Sequence, residues 1–352
     1  MTSKQRCETV IVGAGLSGAH TAYRLSQEGK DSVVLESRPE AGGRLLSKDG
    51  LDLGGTWLWN SHMRIRALLK ELALETFSQA EQGLALHEQG TRIQTFHAAS
   101  GARAHRIAGG ASRLVETLQA RADASRFHGS TAVEGIEQDG DMLTVRARCQ
   151  GISNAPMLEF TARHVVLALP HRLIANIQFG PPLPRELERS LRTTPTWMAG
   201  HGKFVARYAT PFWRQAGLSG QAFSSVGPLW EIHDASPNDA SCGALMAFLD
   251  GGTDATRVAP MAIAQLARLF GDDAGTPLAT YQKDWRSDTW TATQADHEPC
   301  TVHPAYGLPL GAQQLLGGRL LLSGTESARD YGGYMEGAIE ASENVLQTLL
   351  GQ

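Results

Sequence analysis

The fold is decided near the start of the chain, where residues 9–36 read TVIVGAGLSGAHTAYRLSQEGKDSVVLE. A short β-branched run at residues 9–12 is followed by glycines, then by apolar residues at helical spacing, and then by a second apolar run at residues 32–36. A strand, a helix and a second strand within about 30 residues make the βαβ unit of a parallel sheet. We therefore predict an α/β protein with a Rossmann-like domain.

The glycines of this unit match the dinucleotide-binding pattern G-x-G-x-x-G through Gly13, Gly15 and Gly18. They permit a tight turn and close approach to a pyrophosphate, while the start of the helix offers free N–H groups to that anion. Glu36 ends the next predicted strand and is placed to accept hydrogen bonds from a ribose hydroxyl. The pattern alone is weak, but its surroundings are those that the dinucleotide fingerprint requires.

Later glycine clusters favour FAD over NAD. They lie at residues 42–44 (GGR) and 52–56 (DLGGT), as if the backbone followed a long resident cofactor. Near the far end, residues 323–326 (SGTE) end a predicted strand, and a glycine pair precedes the last helix. The start of a helix aimed at a flavin ring would stabilise the anion of the reduced ring.

Composition excludes several other classes of protein. The 352 residues suit two domains, and 32 basic against 36 acidic residues give a net charge of −4. A mildly acidic chain without a basic run is a poor ligand for nucleic acid or for a charged membrane surface. The four cysteines are far apart, and no metal-ligand spacing, secretory signal or bilayer-spanning apolar run occurs. We expect a cytoplasmic protein with reduced thiols and no metal.

Periodicity predicts further elements along the chain. We predict helices at residues 62–82, after Gly109-Gly110, at 260–270 and from about Met335. A hairpin is expected around a turn at residues 139–140, and separate strands at 158–162 and 164–169. Further strands are predicted at 203–208, 244–249 and 319–322, and a turn at 98–102.

Several stretches together resemble the flavin-containing amine oxidase family, which includes monoamine and polyamine oxidases. They are VIVGAGLSGAHTAYRLSQEG, VVLESRPEAGGRLLS, DLGGTWLW, GKFVARYATPFW and LLLSGTESARDYGGYMEGAIEASENVL. The likeness runs nearly end to end, and GTE…GYMEGA is its most specific piece. It implies a discontinuous FAD-binding domain of the glutathione-reductase type at residues 1–79, 107–192 and 287–352. A smaller α+β substrate domain would comprise residues 80–106 and 193–286.

The resemblance also implies roles for individual residues. Lys203 matches the lysine that holds a water against flavin N5, although its pattern alone would make it a surface lysine. Tyr334 matches one of two aromatic rings that flank the substrate amine. Trp290 is the candidate for the other ring, with Tyr331 as the weaker choice, and a packed core position suits Trp290 equally well. Contacts to FAD are expected from Gly13, Gly15, Gly18, Glu36, Arg38, Gly43, Arg44, Gly55, Thr56, Val133, Glu326 and Met335.

The chain departs from the family in two respects. The stretch between the DLGG motif and Gly109 is short, which implies an open substrate pocket or one completed by another subunit. Members with covalent FAD carry a cysteine soon after a tryptophan, whereas the run that begins at Trp285 reads WRSDTWTATQAD. Cys300 comes several residues too late. We therefore expect non-covalent FAD and a structural role for Cys300.

The implied activity is oxidation of an amine to an imine, which hydrolyses to an aldehyde and ammonia, while dioxygen becomes hydrogen peroxide. A flavin desaturase or protoporphyrinogen-oxidase-like enzyme, and an accessory flavoprotein without amine oxidase activity, remain as alternatives. The sequence leaves the amine and the oligomeric state open. Arg286 or Arg329 would suit the carboxylate of an amino acid, and Glu231 or Asp234 would suit a polyamine.

Overall fold

The computed structural model describes residues 3–97, 103–122, 126–152, 155–251, 255–298 and 300–351. The turn predicted at residues 98–102 lies outside them. In chain order the strands are β1 (Ser3–Val12), β2 (Ser32–Leu35), β3 (Ser47–Lys48), β4 (Leu51–Asp52), β5 (Leu58–Trp59), β6 (Thr76–Ser78), β7 (Leu84–Gln89), β8 (Arg92–Phe96), β9 (Ala104–Ile107), β10 (Phe127–His128), β11 (Thr131–Asp139), β12 (Met142–Cys149), β13 (Met157–Leu167), β14 (Gln178–Gly180), β15 (His201–Tyr208), β16 (Leu218–Ser224), β17 (Leu229–Asp234), β18 (Gly243–Asp250), β19 (Ala279–Asp284) and β20 (Leu320–Leu322). The α-helices are α1 (Leu16–Gln27), α2 (Met63–Glu71), α3 (Ser112–Arg121), α4 (His171–Ile174), α5 (Arg185–Thr193), α6 (Phe212–Gln215), α7 (Ala255–Phe270) and α8 (Met335–Leu350).

The predicted βαβ unit lies in the middle of a mixed sheet. Within the described ranges the strand order is β10-β2-β1-β13-β12-β11-β14, and β20 also pairs with β13. Strand β1 runs parallel to β2 on one side and to β13 on the other. Val10 packs into one apolar cluster, while Ile11 packs with Val345 of α8 on the opposite face. Burial on both faces explains why the strand is a continuous apolar run.

A second sheet is formed by strands from residues 84–96 and 201–284. The described strands follow the order β19-β15-β18-β17-β16-β7-β8, and α7 covers one face. Alternation along β15 sends Phe204 towards α7. Val205 faces the other way and packs with Leu51 and Leu53. Lys203 shares the face of Val205 and therefore points towards the segment that carries the DLGGT motif.

Some sequence-based predictions need correction. The helix predicted at residues 62–82 ends at Glu71, because Ala73 adopts a left-handed conformation at φ 56° and the chain continues into β6. The two strands predicted at 158–162 and 164–169 are one strand, β13, which pairs with β1 throughout. Helix α7 starts at Ala255 rather than at Pro260, which lies within it. Strands β16, β17 and β19 were not predicted.

The predicted hairpin and the last helix are confirmed. Strands β11 and β12 pair in antiparallel fashion up to Asp139 and Met142, and Leu143, Val145 and Ala147 are buried. Helix α8 begins at Met335 as expected. In the described ranges, no helix combines the length and apolar character needed to cross a lipid bilayer.

Two substitutions in the glycine pattern distinguish a glycine that the packing of the loop requires from a glycine that faces the open cleft. A Cβ at Gly18 would lie 1.9 Å from the carbonyl oxygen of Gly13, whereas a Cβ at Gly15 would have no neighbour closer than 3.9 Å. We expect Gly18→Ala to lower the free energy of unfolding of the apoprotein by about 3 kcal/mol because a backbone clash cannot relax cheaply. Gly15→Ala should change it by less than about 1 kcal/mol. Urea unfolding of both variants is the measurement, and equal stabilities would contradict this packing.

Candidate active site

One cleft of about 610 Å³ gathers most of the residues singled out in the sequence. Its walls come from loops of the first sheet and from strands β15, β17 and β18 of the second. Gly18, Val133 and Glu326 do not line it. The predicted residues that do so are Gly13, Gly15, Glu36, Arg38, Gly43, Arg44, Gly55, Thr56, Lys203, Trp290, Tyr334 and Met335.

The glycine-rich end of the cleft is closely packed backbone. Gly13 has φ +98°, and a Cβ there would lie 2.7 Å from the carbonyl oxygen of Ala168. Gly43 has φ +58° and would bring a Cβ to 3.0 Å from Cα of Gly15. Both positions require glycine, which leaves bare backbone at the start of α1, where an anion finds free N–H groups.

Glu36 lies beside this backbone and is almost fully buried. Its Oε2 accepts a hydrogen bond of 2.7 Å from the N–H of Ala14, and its Oε1 accepts one of 2.9 Å from the N–H of Arg38. Oε1 also accepts a hydrogen bond of 3.3 Å from Oγ of Ser37, so Oε2 is the oxygen that keeps a lone pair for a further donor. These bonds hold the carboxylate at the cleft wall, and its role in binding a ribose hydroxyl stays a prediction.

Glu326 has a different position from the one expected. It is completely buried and accepts two hydrogen bonds from the guanidinium of Arg44, at 2.7 and 3.2 Å. Because Arg44 lines the cleft and Glu326 does not, Glu326 reaches the cleft through Arg44. Val133 pairs with Ala147 of β12 and packs against the core of the first sheet.

Lys203 is 3% exposed. Its strand pattern alone predicted a surface lysine, whereas the structure buries it. Its Nζ donates to the carbonyl oxygen of Gly54 at 2.8 Å and to Oγ1 of Thr56 at 2.5 Å. The rings of Trp57 and Phe248 lie 5.8 and 5.4 Å from Nζ, within the range of cation–π attraction. Burial lowers the pKa of Lys203 to about 8.

Asp52 supplies a negative charge behind Lys203 and was not singled out as a site residue. It is buried, and its Oδ1 accepts hydrogen bonds from Oγ of Ser47 and from the N–H of Ala111, both at 2.7 Å. Its Oδ2 has no hydrogen-bond partner within the described ranges. Burial raises the pKa of Asp52 and the positive charge of Lys203 opposes that rise. The same attraction partly restores the pKa of Lys203.

Tyr334 stands in an aromatic wall at the start of α8. Its ring meets that of Trp59 edge-on at 5.8 Å and stacks on that of His303 at 5.2 Å, with only 7° between the planes. His303 in turn contacts Trp197 at 4.8 Å. Trp59 and Trp197 both line the cleft, so Tyr334 belongs to a continuous ring surface.

The structure does not bring Trp290 to Tyr334. Trp290 is 38% exposed, no ring pair joins it to Tyr334 among the residues described, and its N–H donates to Oδ1 of Asp288. Tyr331 packs on His62 at 4.6 Å and does not line the cleft. The role of Trp290 as the second ring that flanks the amine therefore stays a prediction. Trp197 is an additional candidate for this ring.

The sequence analysis proposed only Trp290 among the tryptophans as a site residue and missed that most of the others also line the cleft. Six of the seven tryptophans line the cleft, and the seventh, Trp213, is buried in the second core. Trp57 and Trp59 lie in the DLGGTWLW stretch, where alternate spacing was a usable signal. Trp230 is on β17 and no pattern marked it. The six are Trp57, Trp59, Trp197, Trp230, Trp285 and Trp290.

The residues considered for substrate charge are mostly engaged elsewhere. Glu231 lines the cleft, but its Oε1 lies 2.7 Å from Nε2 of His233. Asp234 accepts hydrogen bonds from Trp213 and Arg214 away from the cleft, and Arg286 donates to a backbone carbonyl. In the part of the chain that is described, no three His, Cys, Asp or Glu residues are grouped to hold a metal ion.

Cys300 lies on the cleft wall, a position that its sequence context did not indicate. Its thiol is free and partly exposed. Cys7, by contrast, is buried in the first sheet. The position of Cys300 leaves the prediction of a purely structural role untested.

Comparisons with known proteins agree with this geometry. The sequence profile of "Flavin containing amine oxidoreductase" matches residues 90–347, and that of "NAD(P)-binding Rossmann-like domain" matches residues 11–72. The putative flavin-containing monoamine oxidase AofH of Mycobacterium tuberculosis is 30% identical over 256 residues, which cover 69% of this chain and 52% of that protein. The match thus spans about half the length of the mycobacterial relative.

Longer alignments and solved structures extend the likeness. Amine oxidase [flavin-containing] B of Sus scrofa is 23% identical over 99% of this chain and 87% of its own length. A putrescine oxidase bound to putrescine aligns with a TM-score of 0.79 at 20% identity, over 99% of this chain and 100% of that one. Cyclohexylamine oxidase from Brevibacterium oxydans gives 0.79 at 17% identity, over 98% and 99%. With a Rossmann-like unit, a second sheet and one shared cleft, the chain belongs to the flavin-containing amine oxidoreductase family.

Proposed function

We propose that this chain is an FAD-dependent oxidase that converts an amine to an imine. The single observation that supports it most is the buried Lys203, which lines the same cleft as the dinucleotide motif. A lysine is rarely buried without a task, because removing its charge from water is costly. Tyr334 lines the same cleft and would position the amine with its ring.

FAD is the cofactor that membership in this family brings, and the described residues fit it. Bare backbone at Gly13 and Gly43, a fixed carboxylate at Glu36 and the guanidinium of Arg44 match a pyrophosphate flanked by a ribose. We propose that the binding is non-covalent. The proposed substrate domain, residues 80–106 and 193–286, contains all strands of the second sheet that the structure describes.

The redox chemistry that bound FAD would supply is acceptance of a hydride equivalent from the carbon next to the amine nitrogen and transfer of the electrons to dioxygen. The chain itself must hold the amine neutral and oriented, and must keep a water in place. A protonated Lys203 has three N–H groups, of which two are used by Gly54 and Thr56, so one is left for that water. At neutral pH, a pKa of about 8 keeps most of the lysine charged.

The walls of the cleft favour an amine that carries an apolar or aromatic group. Rings of Trp57, Phe248 and Trp230 form one patch, in which Trp230 stacks on Phe248 at 5.4 Å. The rings of Trp59 and Tyr334 form a second patch. Aromatic surfaces of this kind bind apolar groups and attract amines through their ring faces. One oxygen of the Glu231 carboxylate is already hydrogen-bonded to His233, which leaves fewer acceptor sites for a second ammonium group.

Dioxygen as acceptor is tested by adding arylalkyl amines to the FAD-loaded protein. The proposal expects hydrogen peroxide in air and bleaching of the flavin absorbance without air. Bleaching without peroxide would identify a dehydrogenase. Neither signal across arylalkyl, alkyl and polyamine substrates would reject amine oxidation and favour an accessory flavoprotein.

Glu36→Gln tests the nucleotide end of the cleft. It retains the shape of the side chain but replaces one accepting oxygen by a donor and removes the charge, so we expect FAD to bind about 10- to 100-fold more weakly. Glu40→Gln is the matched control, since Glu40 is exposed four residues further on. Titration of apoprotein with FAD measures both, and an unchanged dissociation constant for Glu36→Gln would reject the ribose assignment.

Lys203 and Tyr334 should act on different half-reactions. Lys203→Met removes a cation and the donor to the water, so reoxidation by dioxygen should slow by about tenfold or more, while Lys70→Met, an exposed control, should not slow it. Tyr334→Ala should slow anaerobic reduction by the amine, and Tyr334→Phe, which keeps the ring, should largely restore it. Stopped-flow absorbance separates the two steps. If Lys203→Met leaves both rates unchanged, the proposed role of Lys203 is wrong.

A further inference from the structure

The loop of residues 285–292 (WRSDTWTA) crosses between the two ends of the cleft. It follows β19 of the second sheet. At its start, Nε1 of Trp285 donates a 2.9 Å hydrogen bond to the carbonyl oxygen of Leu53, the residue directly before the lysine-binding Gly54–Thr56 stretch. Trp285, Trp290 and Thr291 all line the cleft.

The loop is attached to the nucleotide end by Arg38. Nη2 of Arg38 donates to Oδ1 of Asp288 at 2.6 Å and to Oγ1 of Thr291 at 2.9 Å. Arg38 follows Glu36 by two residues, and both line the cleft. These hydrogen bonds attach the 285–292 loop to the residues proposed to hold the adenosine part of FAD. We call this attachment the clasp.

Asp288 is the centre of this clasp. Its side chain is only 6% exposed, and besides Arg38 it takes an ion pair from Lys283 and a hydrogen bond from the N–H of Trp290. It does not line the cleft among the residues described. A nearly buried carboxylate with two cationic partners holds its segment firmly, because loss of one partner leaves a charge uncompensated.

We propose that Asp288 is a positioning residue that keeps the 285–292 loop closed over bound FAD and so slows its release. A cofactor without a covalent link leaves only when the contacts that cover it open. Breaking an interaction that exists only in the closed state raises the dissociation rate more than it changes the association rate. The inference depends on the proposed FAD site and is independent of whether the protein oxidises amines.

The charge of Asp288 also permits the opposite effect. A carboxylate near a pyrophosphate repels it, and by occupying Arg38 it withholds a cation from the phosphates. In that case removal of the charge would slow the release of FAD. Faster release of FAD after removal of the Asp288 charge would indicate a clasp that retains the cofactor. Slower release would indicate an acidic group that competes with the cofactor for Arg38.

The test is the dissociation rate of FAD from the loaded protein, followed as the rise in free-flavin fluorescence after dilution. Asp288→Asn should release FAD about tenfold faster or more, since it removes one charge of a nearly buried pair. Asp141→Asn is the matched control, because Asp141 pairs with Arg319 on the exposed surface. An Asp288→Asn rate equal to that of wild type, or slower, overturns the proposal.

Thr291→Val provides an independent test if Asp288→Asn does not fold. It removes only the second bond to Arg38, so we expect release about two- to threefold faster with unchanged far-UV circular dichroism. An unchanged rate in Thr291→Val would count against the clasp. The readout is cofactor release, so a protein that binds FAD but oxidises no amine would reject the proposed function while leaving this test valid.

Discussion

The ammonium of Lys203, held between a carbonyl oxygen and a threonine hydroxyl, is the interaction on which the rest of the site depends. It lies on a strand of the second sheet, yet both oxygens come from the DLGGT stretch, which follows the nucleotide-binding unit. Next to it, Val205 packs on Leu51 and Leu53 of the same stretch. The second sheet therefore meets the DLGGT stretch at a polar contact surrounded by apolar ones, and Gly54, Thr56 and Lys203 at that junction line the cleft.

Several neighbouring groups offset the free-energy cost of burying the Lys203 ammonium. Asp52 lies behind it with one oxygen that has no hydrogen-bond partner among the described residues, and the rings of Trp57 and Phe248 lie over it. A lysine in such surroundings is poised between its two protonation states, a property more often used at functional sites than elsewhere. The nucleotide end has a different character, with glycine backbone, one fixed carboxylate and arginines. The cleft thus divides into an anion-binding half and an aromatic half.

Local rules predicted the parts of this arrangement that depend on neighbours in sequence. The βαβ unit, Glu36 and the start of α8 at Met335 follow from spacing within a few residues. The burial of Lys203 does not follow from such spacing. Alternation along a strand assigns residues to two faces but does not indicate which parts of the protein cover each face. That burial could be anticipated only from a family resemblance. The helix predicted beyond Glu71 failed for a similar reason, since Leu72 and Leu74 continue the apolar pattern while Ala73 leaves the helical conformation.

Convergence of distant residues was the hardest feature to predict. Tryptophans from four separate segments line one cleft, and only the pairs Trp57/Trp59 and Trp285/Trp290 lie in a common stretch. Asp288 meets Arg38 across 250 positions of sequence, a pairing that no periodicity indicates. These contacts depend on how the second sheet packs against the DLGGT stretch and the nucleotide-binding unit, a packing to which Lys203 contributes two hydrogen bonds.

The pKa of Lys203 in the apoprotein is the measurement that tests this account most directly. The chain has six lysines, so lysine labelled with ¹³C and ¹⁵N in the side chain should give a spectrum that Lys203→Met assigns. The account predicts that the Lys203 signal titrates near pH 8 and shifts when FAD is added, while that of the exposed Lys4 does not shift. A Lys203 signal that titrates near the usual lysine value of about 10.4 and ignores FAD would contradict it.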